Sequence, residues 1–478
     1  MNLKARKLWT SIGLLILCLS ASAGTSKQND ESLLKPRIVV LTDIAPANVE
    51  PDDMESMVRL LAYADLFEIE GLITTSGWNS CGSTYSESWM DNLTTIIDAY
   101  EKDLPNLMKR SNQKGFLPKK RENGKQKLGY WPSADYLRSR TMLGSKSLGI
   151  AQIGESNDSP GSELIIKLVD EEDSRPLWIM VWGGANTLAQ AVWRIRQKRN
   201  ETEVHTFLDK LYVYTITDQD VCGNFPIDYT FSSHQWLRKI CGKTLHFFWD
   251  ESAWLVQNTL GSMNWNKYAS HIQGHGHLGK VYPQNKYGVE GDTPSYLHVL
   301  PNGLNNPAVC NQVGWGGYFR WTLSPDGQTE CYTNASPDIK TISEKYEKYF
   351  YPTIFADFAA RMDWAACGEG NHNPSVYVNG KKGLDPIIIT SKVGRRIWLD
   401  ASESIDVDND SLAYHWWILP EAGTYTGHIE IMQTDKPVAF FDIPQDAAGK
   451  ELHMICEVMD NGSPALTGYR RVIIRPVD

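Results

Sequence analysis

The feature that most constrains this chain is an alternation, from about residue 36 onward, of short apolar β-type runs with amphipathic helical segments. The run "RIVVLTD" leads into "DMESMVRLLAYAD", where Met54, Met57, Val58, Leu61 and Ala64 recur at helical spacing. Next comes "FEIEGLITTSG", rich in the Ile and Thr that favour strands. From about Asn79 to Asp158 the alternation lapses into what reads as an irregular insertion. It then resumes as helix "SELIIKLVDEE", strand "PLWIMVWGG", helix "NTLAQAVWRIRQ", strand "KLYVYTITD", helix "SSHQWLRKIC" and strand "TLHFFWD". Strands separated by helices of this length join by right-handed crossovers. The expected fold is therefore α/β, a mostly parallel sheet with helices on both faces.

A chain of 478 residues is too long for one ordinary core. Around residue 371 the texture changes to "NHNPSVYVNGKKG", and the β-type runs "PIIITS", "RRIWLDA", "LAYHWWILP", "PVAFFDI", "ELHMICEVMD" and "TGYRRVIIRPV" follow between turn signals. The expectation is an α/β domain over residues 36–370 and an antiparallel, immunoglobulin-like β-sandwich over 371–478. The stretch "DASESIDVDNDSLAYHWW" resembles the strand and turn of polycystic-kidney-disease-type sandwich modules of secreted proteins. Its acids Asp406, Asp408 and Asp410 suit either calcium or a hydrogen-bonded turn, and the turn is preferred.

The first residues read as an export signal: Lys4, Arg6 and Lys7, the apolar run "LWTSIGLLILCLS", then "ASA" ending at Ala23. The signal peptide is placed at 1–23 and the mature protein in the periplasm or outside the cell. Lipid anchoring at Cys18 is the less favoured alternative, because Leu17 stands where a small residue is expected. No later apolar run approaches the roughly 20 residues that span a bilayer. Seven cysteines remain, at 81, 222, 241, 310, 331, 367 and 456, without a CxxC pair, so a zinc knuckle is not supported. The balance of 47 basic against 57 acidic side chains, a net charge of −10, argues against nucleic acid as a partner. The 17 Trp and 21 Tyr fill cores and also stack on sugar faces. Trp78, Trp182, Trp315 and Trp321 are candidates for either role.

In an open parallel sheet, ligands bind beyond the carboxyl ends of the strands. Asp43 stands at such an end, and Asp52 and Asp53 open the helix that follows. Converging carboxylates repel unless protons or a cation neutralise them, and a hard divalent ion such as calcium does so with oxygen ligands. Asp52 and Asp53 are also explained as complements to the positive end of the helix after Pro51. Asp43 is not. Polar groups recur at two other strand ends, "WGGAN" at 182–186 and "TDQD" at 217–220.

The strand, the acid at its tip and the Asp-Asp pair resemble the signature of nucleoside hydrolases, calcium-dependent enzymes that cleave N-ribosides. "GGANTLA" is similar to that family's glycine-rich turn, and "EGDTPSYLHVLPNGL" supplies a late acid, Asp292. The resemblance implies calcium held by Asp43, Asp53, the backbone carbonyl of Asn186 and Asp292, with Asp52 holding a sugar diol. The departures are Leu41 in place of a first acid, a longer loop between Asp43 and Asp53, and Gly291 where His usually precedes the late Asp. The glycone-binding residues have no clean match, although Asp218 and Asp220 fall at a similar place. With "SGWNS", "EGDTPS" and "LPNGL", these departures resemble a secreted bacterial branch that joins a nucleoside-hydrolase-like domain to an immunoglobulin-like one. Its members are often described as cellulose-binding proteins.

Two functions follow as expectations. One is an exported calcium-dependent hydrolase of an N- or O-glycosidic bond in nucleosides or glycans, pentofuranosides among them, with Asp43 as general base and Asp52, Asp218 and Asp220 contacting the sugar. The other is a non-catalytic polysaccharide-binding protein that keeps the metal site for sugar binding or folding. No general acid is identifiable. "HIQGHGH", with His271, His275 and His277, reads either as a source of one or as a Gly-rich loop, the latter preferred. A phosphatase with an aspartyl nucleophile fits poorly, because Ala45 stands where its second Asp would be.

Overall fold

A computed structural model describes residues 34–222 and 227–478. The expected signal peptide and Cys18 lie outside the described residues.

The apolar runs form β1 (Arg37–Thr42), β2 (Glu68–Thr74), β3 (Thr141–Leu143), β4 (Leu177–Val181), β5 (Leu211–Ile216) and β6 (His246–Asp250). All six residues of β1 are buried. Its alternate side chains serve different cores: Ile38 and Val40 pack on one face of the sheet, Val39 and Leu41 on the other. A strand covered on both faces reads as a continuous apolar run, and "RIVVLT" does. Two further strands, β7 (Arg320–Leu323) and β8 (Glu330–Thr333), complete an eight-stranded sheet of order β3-β2-β1-β4-β5-β6-β8-β7. Every neighbouring pair is parallel except β7 with β8. Strand order reverses beside β1, so the ends of β1 and β4 flank the crevice where such sheets take ligands.

The segment expected to be an irregular insertion is not irregular. It contains the 20-residue helix Asp91–Arg110 and the edge strand β3. Leu93, Ile96, Ile97, Tyr100, Leu104 and Leu107 of that helix are buried at helical spacing. Its interior Pro105 is the break that obscures the pattern in the sequence. The 31-residue helix Pro337–Cys367 likewise continues through Pro352.

The remaining strands are β9 (Ile387–Lys392), β10 (Arg396–Asp400), β11 (Ala413–Ile418), β12 (Val438–Asp442), β13 (Leu452–Met459) and β14 (Thr467–Val477). They make a sheet of order β11-β13-β14-β9 and a pair β10-β12. Leu399 and Phe441 of the pair share one core with Trp416, Met454 and Val472 of the larger sheet. The expected all-antiparallel pattern is corrected at one edge, where β9 runs parallel to β14. No hairpin constrains β9, because the chain leaves it for the other sheet.

The β-rich part is welded to the α/β part. Leu419, Ala422, Ile455 and Tyr469 belong to the same buried cluster as Leu304, Val313, Trp315 and Phe350. Buried Arg471 donates from Nε to the Leu304 carbonyl at 2.7 Å and from Nη2 to the Val313 carbonyl at 2.6 Å. No helix among the described residues is long and apolar enough to cross a membrane.

Candidate metal centre

β1 carries Asp43 to the mouth of the crevice, where the residue is only 1 % exposed. Its Oδ2 accepts the Asn79 N–H at 2.8 Å, and its carbonyl accepts from Asn79 Nδ2 at 3.2 Å. Two glycines make room for it. A Cβ on Gly77 would fall 2.4 Å from the Asp43 Cγ, and one on Gly183 would fall 2.9 Å from the Asp43 Cβ. Thr42 donates its hydroxyl to Asp53, tying the strand end to the first turn of the helix Asp52–Ala62. A Cβ on Gly291 would lie 2.7 Å from Asp52 Oδ2, so the glycine before Asp292 fits the close approach of Asp52. Asp292 is 3 % exposed, and its Oδ2 has no hydrogen-bond partner.

Asp43, Asp53 and Asp292 all line a cavity of about 930 Å³, although among the described residues the carboxylates already within 4.8 Å of one another are those of Glu50, Asp52 and Asp53. Glu50 and Asp52 line it too. Burial, then the neighbouring carboxylate of Asp52, pushes the Asp43 carboxyl up to about 7. Burial followed by the charges of Asp43 and Asp52 raises Asp53, and burial followed by Asp53, Asp52, Asp43 and Glu50 raises Asp292. The charges acting on these groups are other carboxylates. Some buried acids elsewhere have cationic partners, Glu290 with Arg59 at 2.6 Å, Asp65 with Arg361 at 2.7 Å and Asp326 with Arg238 at 2.6 Å. Asp250 and Glu347 are held instead by hydrogen bonds, Asp250 from the Ala253 N–H at 2.8 Å and Glu347 from the Ser343 hydroxyl at 2.5 Å. Lys340, the cation lining the cavity among the described residues, acts on Glu251. The acidic wall is therefore an uncompensated set of hard oxygen donors, which suits calcium.

Other residues singled out in the sequence go elsewhere. Asn186 is fully buried outside the cavity lining, with its amide exchanging hydrogen bonds with Gly149 at 2.7 and 2.9 Å. Asp220 also lies outside the lining. It accepts from the Ala185 N–H at 3.2 Å and the Ser233 N–H at 2.6 Å, fastening the starts of two helices. Asp218 does reach the cavity wall, with both carboxyl oxygens held by the Ser232 hydroxyl at 3.0 and 2.8 Å. His275 and His277 face Asp363 and Asp103, each at 2.8 Å, and neither they nor His271 line the cavity. Asp406 Oδ1 accepts the N–H groups of Asp408 and Asp410, a hydrogen-bonded turn as preferred.

Of the four tryptophans, Trp78 stands at the cavity, 57 % exposed. Trp182 and Trp315 are core, and Trp321 packs edge-on against Tyr332. Tyr287, 71 % exposed, gives the rim a second open aromatic face. Sequence reasoning missed Tyr287 and Glu50. Glu50 had a signal, an acid two residues before the Asp pair. Thr217, which also lines the cavity, holds a left-handed φ of 55°, unusual for a β-branched residue; its hydroxyl donates to Glu251 at 2.6 Å.

Residues 37–319 match the family model "Cellulose-binding Sde182, nucleoside hydrolase-like domain", and residues 396–476 match "Cellulose-binding protein Sde0182, C-terminal domain". Among solved structures, a nucleoside hydrolase-related hypothetical protein from Saccharophagus degradans, described as associated with carbohydrate metabolism, is 34 % identical. The match covers 92 % of this chain and 100 % of that one, with a TM-score of 0.78. The PKD domain of the KIAA 1837 protein is 15 % identical over 23 % of this chain and 93 % of its own, with a TM-score of 0.17. Human CDH23 EC21-23 is 16 % identical over 22 % of this chain and 33 % of its own, also with a TM-score of 0.17. Neither of these short overlaps carries an argument. No curated protein matches. The α/β part built around Asp43 and the β-rich part joined to it are together those of the cellulose-binding Sde182 family with its nucleoside hydrolase-like domain, and this chain belongs to that family.

Proposed function

We propose that this protein is an exported, calcium-dependent hydrolase of a glycosidic bond, N- or O-linked, in nucleosides or glycans. The observation that carries the reading is the acidic wall of the cavity, where buried carboxylates converge without a cationic partner and Asp292 Oδ2 is left unbonded. Asp43, Asp53 and Asp292 would hold the ion. Bound calcium supplies positive charge that neutralises these acids and makes a neighbouring water more acidic. Asp43 is the general base: Asn79 and the two glycines fix its carboxylate, which takes the proton of the attacking water. Half-buried Asp52 lines the cavity and binds a sugar diol, and Asp218, which also lines it and is oriented by Ser232, contacts the sugar. Asn186 and Asp220 are left out of this assignment. The open faces of Trp78 and Tyr287 stack on sugar rings at the rim. Export rests on the apolar leader at 1–23 and on the family's described affinity for cellulose, a polymer met outside the cytoplasm.

The same rim, with that description, favours a second reading: a polysaccharide-binding protein in which the cation clamps sugar hydroxyls without turnover. The two separate on incubation with nucleosides, aryl pentofuranosides and plant polysaccharide fragments, with calcium or with chelator, beside Asp43→Asn. Calcium-dependent sugar release that is lost in the variant is expected. Tight glycan binding by both proteins with no release from any substrate would instead establish the binder.

A further inference from the structure

We propose that Glu50, on the loop between β1 and the helix Asp52–Ala62, is a ligand of the cation, so that this loop closes the metal site from the solvent side. The inference rests on the calcium reading above and goes beyond its ligand set. Carboxylate oxygens of Glu50, Asp52 and Asp53 all lie within 4.8 Å of one another. Calcium bonds its oxygens at roughly 2.3–2.6 Å, so a single ion reaches ligands about 5 Å apart. The second observation is Asp292. It comes from a distant part of the chain, is buried on the same cavity wall, and has an Oδ2 without a partner. Glu50 is among the charges that act on it.

The position of Glu50 is built rather than incidental. Its Oε1 accepts the Asp52 N–H at 3.2 Å, which turns the carboxylate back over the start of the helix. The preceding residues are tethered by Lys286, whose Nζ donates to the carbonyls of Asn48 at 2.6 Å and Val49 at 3.1 Å. Lys286 therefore spends its charge on backbone oxygens and leaves the carboxylates to another cation. Helix-end complementarity accounts for Asp52 and Asp53 and for the one Glu50 oxygen that takes the first N–H of the helix, but not for the approach of the Glu50 carboxylate to those of both aspartates. With Glu50 as ligand, ion and loop order each other, and the neighbouring Tyr287 is held at the rim by the same tether.

Calcium titration calorimetry and terbium luminescence on the full-length mature protein test this, with Glu50→Gln and Asp292→Asn beside the wild type. Glu50→Gln keeps size and hydrogen bonding, and unchanged circular dichroism would certify its fold. Expected is a weakening of calcium binding in Glu50→Gln by about tenfold or more, the scale on which loss of a supporting metal-site carboxylate acts. The calcium-induced rise in melting temperature should shrink in parallel. Equal affinity in Glu50→Gln and wild type, with Asp292→Asn weakened, overturns the role of Glu50 and leaves the calcium reading standing. Absence of calcium binding by the wild type overturns both.

Discussion

His298 shows how a single buried side chain contributes to the pH response. Its ring lies 5.0 Å from that of Phe248, 5.5 Å from Trp178 and Tyr214, and 5.6 Å from Phe319. Neither ring nitrogen has a hydrogen-bond partner, and burial pulls the imidazole down to about 4. An unfolded histidine titrates near 6.5, so between these values the unfolded chain binds the extra proton. Stability from this group is therefore whole above about pH 6.5 and is lost as pH falls toward 4. The loss is bounded at roughly 3–4 kcal/mol, since each tenfold difference in proton affinity between the folded and unfolded chain corresponds to about 1.4 kcal/mol. His298→Phe removes two unsatisfied nitrogens from an aromatic cluster. It is expected to melt at or above the wild-type temperature at pH 7.5 and to fall less between pH 7 and 4.5. Parallel melting curves for the two proteins across that range would show that His298 does not titrate on unfolding.

At the scale of elements, the site is made by three turns that meet around one strand end. Gly77 has a φ of −164°, an extended backbone open to any residue, so its requirement for glycine is steric: an added Cβ would meet the Asp43 carboxyl at 2.4 Å. Gly77→Ala is expected to displace Asp43 and weaken calcium binding and any turnover, at a cost of about 1–3 kcal/mol in stability for the crowding. Calorimetry with far-ultraviolet dichroism reads both effects, and wild-type calcium affinity in a folded Gly77→Ala protein would show that this glycine does not fix Asp43. What the sequence makes legible follows from the same geometry. β1 is visible as an apolar run because both its faces are covered, and Asp43 and Asp53 are visible because strand ends and helix starts have recognisable grammar, whereas Asp292 is reached only through the resemblance to nucleoside hydrolases. Asn186 and Asp220 look equally eligible in the sequence. What keeps Asp220 from the cavity is local, since Ala185 and Ser233 take its carboxylate, and Asn186, whose backbone carbonyl is the expected ligand, is likewise not among the lining residues. No periodicity foretells such pairings. Tyr287 and Glu50 lie on loops, where position comes from tethers such as Lys286 rather than from repeat spacing. The helix Asp91–Arg110 had the spacing of a helix, and only Pro105 concealed it.

Across the whole molecule the two parts differ in architecture but not in packing. The helix Pro337–Cys367 ends the α/β part, yet its Phe350 lies 6.1 Å from the ring of Tyr469 in β14, and Tyr346 stacks 6.1 Å from Trp417 of β11. Arg471 of β14 reaches further, to the carbonyls of Leu304 and Val313, while its own N–H donates to the Gly303 carbonyl at 2.9 Å. A Cβ on Gly303 would fall 2.1 Å from the Tyr469 carbonyl, so the backbones of the two parts nearly touch. Neither surface is made for water. Separating them would strand apolar rings and buried carbonyls together, and the parts should unfold as one cooperative unit. Scanning calorimetry of the full-length mature protein is expected to show a single transition with equal calorimetric and van't Hoff enthalpies. Arg471→Met fills similar space but leaves the Leu304 and Val313 carbonyls without a donor, at about 1–3 kcal/mol for each buried acceptor. It should lower that single transition without splitting it. Two separate transitions in the wild-type protein would mean that the shared cluster is a contact between independent domains rather than one core.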